Sequence, residues 1–193
     1  MIRTVCVYCG SNRPANPLLA QAARTFGEVL ADRGYALVYG GVGLGMMGQV
    51  ADGALARGGR VTGIIPEPLL AREIAHPHLS ERIVVADMHA RKKLMAERAG
   101  AFVVLPGGCG TFDEFFEIFT WAQIELHAKP IALLNVEHYF DPLIALLGHM
   151  VTNGFLKRGH RDMLIVESDP GEILSRLEAY VAPHLNKWNG ALA

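Results

Sequence analysis

Apolar positions along this chain fall into two alternating textures. Short, nearly continuous runs rich in β-branched residues (TVCVY, ALVYG, RVTGIIP, RIVVA, AFVVL, PIALLNV, MLIVE) are separated by longer stretches with apolar residues at helical spacing. The longer stretches are the Ala-rich segment 17–33, MMGQVADGALARG, MHARKKLMAERAG, TFDEFFEIFTWAQIELH, HYFDPLIALLGHMVTNG and EILSRLEAYVAPHL. A strand that is apolar on both sides needs cover on both sides. The alternation therefore predicts an α/β fold, a doubly wound parallel sheet with helices on both faces. No repeat, low-complexity tract or linker interrupts the rhythm, so residues 1–193 are expected to form one domain. The least regular part, PEPLLAREIAHPHLS at residues 66–80, reads as a loop at the carboxyl end of the third strand. Open α/β sheets bind ligands in the crevice at that end.

Four strand ends carry residues such a crevice can use. In LPGGCGTFDE, Pro106 ends a strand, and Gly107, Gly108 and Gly110, with Cys109 among them, let the backbone turn tightly with bare N–H groups. Bare amides ahead of a helix make an anion site, and phosphate is the commonest small metabolic anion. TFDE is also a capping box, in which Thr111 as N-cap bonds the amide of Glu114, Glu114 reaches back, and Asp113 complements the helix dipole. Capping alone leaves the glycines unexplained. The lysine of GxxxxGK[ST] is missing, which argues against a nucleoside-triphosphate P-loop.

The second end, VYGGVGLGMMG, holds Gly43, Gly45 and Gly48 in a formal GxGxxG between strand and helix, with Glu67 near the end of the next strand. That is the pattern of a dinucleotide fingerprint. Here it follows the second strand, and Gly40 and Gly41 lengthen the turn; Gly41 and Gly45 are kept as candidate substrate-loop positions. At the third end, VYCGSNRP, Gly10, Ser11 and Asn12 either donate to a ligand or form the turn that starts the first helix. Cys6 and Cys9, three apart on a strand, point to opposite faces and are expected to be buried small hydrophobes rather than a metal or redox pair. At the fourth, Arg91, Lys92 and Lys93 open a helix, against the dipole rule. An anionic ligand would relieve that conflict, and a solvated face would explain Lys93.

Charge narrows the partners. With 18 basic and 19 acidic residues and no basic block, nucleic acid and membrane surfaces are poor matches. No apolar stretch is long enough for a bilayer, and MIRTVCVYCGS runs into a strand without a signal-like h-region, so a cytoplasmic protein is expected. Three cysteines do not suggest a disulfide framework, and eight scattered histidines show no HExxH spacing; no metal and no cofactor are expected. The segment EFFEIFTWAQIEL, with Phe115, Phe116, Phe119 and Trp121, is apolar on nearly all sides. It needs cover from a core or a second subunit, most simply in a two-fold homodimer.

PGGCGTFDE, preceded by DMHARK and followed by FTWAQIELHAKPIALLNVEHYFDPL, resembles the LOG (Lonely Guy) family, known by its PGGxGTxxE motif and long described as lysine decarboxylases. The resemblance runs from CVYCGS through YGGVGLGMMG to the PIALLN strand. It implies a Rossmann-like homodimer that hydrolyses the N-glycosidic bond of cytokinin nucleoside 5'-monophosphates, and in some members of AMP, to free base and ribose 5-phosphate. By motif, the catalytic residues fall on Arg91 and Glu114, and substrate contacts on Glu73, Lys92, the loop 108–114 and Thr120. Phe112 and Asp113 stand where GTLEE is frequent and Ala90 where MHERK is frequent, which bears on base selectivity more than on the chemistry. Thr120 lies six residues beyond Glu114, well around a helix, so it fits a site shared across a dimer. Competing readings are a dinucleotide-binding oxidoreductase and a non-catalytic carrier such as the molybdenum-cofactor carriers, which share a similar glycine loop. A pyridoxal-dependent decarboxylase would need a distinctively placed lysine, and none stands out.

Overall fold

The computed structural model describes residues 2–70, 75–183 and 185. The seven apolar runs become strands β1 (Thr4–Tyr8), β2 (Ala36–Tyr39), β3 (Val61–Pro66), β4 (Glu81–Val85), β5 (Ala101–Val104), β6 (Ile131–Leu134) and β7 (Leu164–Glu167). They join one sheet in the order β4-β3-β2-β1-β5-β6-β7, and each neighbouring pair is parallel. Between them run α1 (Pro17–Asp32), α2 (Gly45–Ala56), the short α3 (Glu67–Leu70), α4 (Met88–Arg98), α5 (Cys109–Gln123), α6 (Asp141–Thr152), α7 (Arg158–Asp162) and α8 (Pro170–Ala179).

Strand periodicity divides the core into two. Val5, Val7 and Cys9 face one cluster with Phe26 and Leu30 of α1, Val50 of α2 and Ile173 of α8. Cys6 and Tyr8 face the other, with Met95 of α4, Phe115 and Phe119 of α5 and Leu147 of α6. The two thiols therefore lie on opposite faces, as a period of two requires. Each fully buried Phe, Leu or Ile in these clusters contributes about 1.5–3 kcal/mol, so the covering helices are held by packing more than by propensity.

Local chemistry sets the helix starts. Asn16 caps α1 by accepting from the Leu18 amide at 3.0 Å, with Pro17 in the first turn. Asp87 caps α4 by accepting from the Ala90 amide at 2.8 Å. Two segments differ from the sequence reading. Residues 66–80 are not wholly loop: β3 runs through Pro66, α3 follows, and Ala75 forms an isolated antiparallel bridge with Val42. HYFDPL does not open a helix at once, because Val136–His138 is a 3-10 turn with Glu137 and His138 at positive φ, and α6 begins only at Asp141.

Strand order reverses at the sheet centre. From β1 the chain winds outward to β4, and α4 carries it back to β5, beside β1. The loops after β1 and β5 therefore leave in opposite directions and open a crevice between them. No described helix is long and apolar enough to cross a membrane.

Candidate functional site

A cavity of about 690 Å³ occupies that crevice. Its walls are the loop after β1 (residues 9–16), the turn after β5 with the start of α5 (106–111, 113 and 114), Met46 and Met47 of α2, Leu69 of α3, Met88 and Arg91 of α4, and Tyr139. Two hydrogen bonds fix the floor. The Gly10 amide donates to the Pro106 carbonyl at 3.1 Å, and the Tyr139 hydroxyl donates to the Gly107 carbonyl at 2.6 Å.

The capping-box expectation is corrected here. α5 starts at Cys109 with Gly108 as N-cap, so Thr111 stands inside the first turn, and no side chain caps the helix. Gly108 has the extended backbone an N-cap needs, and its carbonyl accepts from both Thr111 and Phe112 amides. Thr111 instead packs against the turn: a side chain on Gly107 would lie 2.1 Å from its hydroxyl oxygen, so only glycine fits there. The amides of Cys109 and Gly110 precede the first intrahelical donor and border the cavity, an arrangement suited to an anion.

The three cations of α4 go three ways. Arg91 turns inward and is 5% exposed; its Nε donates to the Ile64 carbonyl at 3.1 Å, and its Nη1 lies 3.5 Å from Oε1 of Glu114, itself 4% exposed. Lys92 turns sideways to Asp113 and Glu117, and Lys93 turns outward to Glu97 at 3.9 Å. With Asp87 capping α4, the dipole conflict is met within the protein. Room for the buried guanidinium comes from Gly40, where a side chain would sit 1.9 Å from Arg91 Nη2.

Burial pushes the Glu114 carboxyl up to about 7; Arg91 pulls the other way and Asp113 adds to the rise. Desolvation thus outweighs the attraction of an arginine at 3.5 Å. A carboxyl poised near neutrality on a cavity wall can take up or release a proton during a reaction.

Of the residues singled out from sequence, Gly10, Ser11, Arg91, Gly107, Gly108, Cys109, Gly110, Thr111 and Glu114 line this one cavity. Gly41, Gly45, Lys92 and Thr120 are not among its lining residues. Gly45 backs the loop after β1, Thr120 is exposed on α5, and Glu73 lies outside the described residues. The formal GxGxxG meets protein instead of cavity: side chains on Gly43 and Gly48 would strike His76 and the Gly43 carbonyl. Sequence reasoning missed Arg13, Tyr139 and the methionine wall of Met46, Met47 and Met88. Arg13 and Tyr139 follow the carboxyl ends of β1 and β6, where the crevice rule alone would have pointed. The methionines had no local signal.

The profile of a family described as "Possible lysine decarboxylase" matches residues 47–177. The chain is 40% identical over 179 residues to the cytokinin riboside 5'-monophosphate phosphoribohydrolase LOG of Oryza sativa subsp. japonica, an alignment covering 93% of this chain and 74% of that protein. It is 39% identical over 182 residues to a cytokinin riboside 5'-monophosphate phosphoribohydrolase of Arabidopsis thaliana, covering 94% and 85%. Among solved structures, the molybdenum cofactor carrier protein of Chlamydomonas reinhardtii superposes with a TM-score of 0.71 at 20% identity, covering 93% of this chain and 100% of that one. At that identity the likeness is one of fold.

Proposed function

Since the chain belongs to the LOG family, the one whose profile carries the lysine-decarboxylase description, we propose that it hydrolyses cytokinin riboside 5'-monophosphates to a free adenine-type base and ribose 5-phosphate. The observation that carries this reading is the buried Arg91–Glu114 pair on the wall of a cavity that also borders the first amides of α5. A phosphate on those amides would anchor the sugar, so that binding energy remote from the reacting carbon positions it. The C1'–N bond of the ribose breaks, a water oxygen bonds to C1', and one water proton ends on the departing base.

Departure of the base leaves positive charge on the ribose, as in other glycoside cleavages. Glu114 as carboxylate stabilises that charge and accepts the proton from the attacking water. Arg91, pinned by the Ile64 carbonyl, orients Glu114 and supports its ionised form in a dry wall. Activity should then rise with pH through about 7 as Glu114 loses its proton.

The same reading takes residues 1–193 as one cytoplasmic domain acting as a homodimer. In its support, Cys6, Cys9 and Cys109 are free thiols, and Ile124 and Leu126 leave apolar surface beyond the end of α5, near exposed Thr120.

Purified protein would be given isopentenyladenosine 5'-monophosphate, AMP and the unphosphorylated nucleoside in parallel, with base and ribose 5-phosphate followed by chromatography. Release from monophosphates alone is expected, and the two rates rank the bases. Absence of release from all three would overturn the function. Glu114→Gln should fold and lose about 10²–10⁴-fold in turnover; near wild-type turnover would remove Glu114 from the chemistry.

A further inference from the structure

Beyond β6 the chain passes through a strained turn. Glu137 and His138 stand side by side in the left-handed region, at φ 52 and φ 58, and neither is a glycine. That conformation costs free energy at each residue and persists only where the surroundings hold it. Asn135 does the holding. Its Oδ1 accepts from the Phe140 amide at 2.7 Å, its Nδ2 donates to Oδ1 of Asp141 at 2.8 Å, and its own amide donates to the Glu167 carbonyl at 2.7 Å. Phe140 is fully buried, and the Tyr139 ring stands edge-on to it with centroids 5.1 Å apart.

What this turn delivers is the Tyr139 hydroxyl, which donates to the Gly107 carbonyl at 2.6 Å. In a trans peptide the carbonyl of one residue and the N–H of the next point in opposite directions. Holding the Gly107 carbonyl therefore directs the Gly108 N–H away from Tyr139. That N–H donates to no acceptor among the described residues, and both Gly108 and Tyr139 line the cavity. With glycine on either side, this peptide would otherwise be free to rotate. The hydroxyl lies on a residue 37% exposed, where a hydrogen bond adds little to folding.

We propose that Tyr139 is a positioning residue: by holding the Gly107 carbonyl it locks the Gly107–Gly108 peptide and aims the Gly108 amide at the phosphate of the substrate. The kinetic readout rests on the proposed phosphoribohydrolase activity; the binding and NMR readouts do not.

The test compares wild type, Tyr139→Phe and Tyr139→Leu. Each is titrated calorimetrically with ribose 5-phosphate and with the unphosphorylated nucleoside, assayed on the monophosphate, and followed by NMR at the Gly108 amide. Tyr139→Phe keeps the ring and loses the hydroxyl. Its Kd for ribose 5-phosphate and its KM for the monophosphate should rise about tenfold to a hundredfold, the worth of one hydrogen bond to a charged group, with Kd for the nucleoside held within about twofold. Its Tm should fall by no more than about 4 °C. Ribose 5-phosphate should shift the Gly108 amide resonance in wild type and not in Tyr139→Phe.

Equal weakening of both ligands would overturn the proposal, because it would mean that the wall as a whole has given way. Tyr139→Phe indistinguishable from wild type would overturn it too, and a loss confined to Tyr139→Leu would move the role to the ring. So would a wild-type Gly108 amide that does not respond to the phosphate. If wild type releases no base, the function falls, while inorganic phosphate titrated against the Gly108 amide in wild type and Tyr139→Phe still decides the role of Tyr139.

Discussion

In the turn after β2, a side chain at Gly45 would lie 2.3 Å from the Ser11 carbonyl oxygen, and the residue holds φ +58; in the turn after β5, side chains at Gly108 and Gly110 would meet nothing within 4 Å. Both turns read alike in the sequence, as strand, glycines, helix. The first uses glycine because protein fills the space around it. The second packs Gly107 against Thr111 but leaves space unfilled at Gly108 and Gly110, on the wall of a cavity. A glycine-rich turn marks a ligand loop when its missing side chains face open volume, and a scaffold when they face backbone.

The largest break in this comparison should come from Gly45→Ala. Left-handed backbone and overlap with two carbonyls should together cost about 3–5 kcal/mol, measured by denaturant unfolding; a loss under 1 kcal/mol would mean the turn relaxes freely. Next in size is the pH dependence of the carboxyl behind the second turn. Glu114 binds its proton more tightly folded than unfolded, so stability falls as pH rises from about 4.5 to about 7. Glu114→Gln lacks this loss. Its stability relative to wild type should improve by up to about 3 kcal/mol between pH 4.5 and pH 8, and a constant difference would contradict the placement of that carboxyl. The smallest change should be Gly110→Ala: alanine suits a helix by up to about 1 kcal/mol, so Tm should hold or rise while KM for the monophosphate climbs about tenfold. A fall in Tm with KM unchanged would class this turn with the first.

Much of the fold was legible in the chain because parallel strands buried on both faces leave unmixed apolar runs, as in AFVVL and PIALLNV. The pairing of Arg91 with Glu114 came from resemblance; spacing could not supply it, since the two stand on different helices across the sheet's reversal. TFDE misled because a capping box and an interior first turn share one sequence, and the choice was made by Gly107, which lets Thr111 pack inward. For Lys92 the sequence records charge and not which way a helix turns it. Its partners lie 21 and 25 residues away on α5.

Arg91 rides on the connection that brings the chain from the outer strand β4 back to the centre at β5. Cutting the chain at Gly100 would leave Arg91 on one fragment and Glu114 on the other. Turnover on mixing two inactive fragments would then count re-formed β1–β5 pairings, making this protein a complementation reporter for its own assembly.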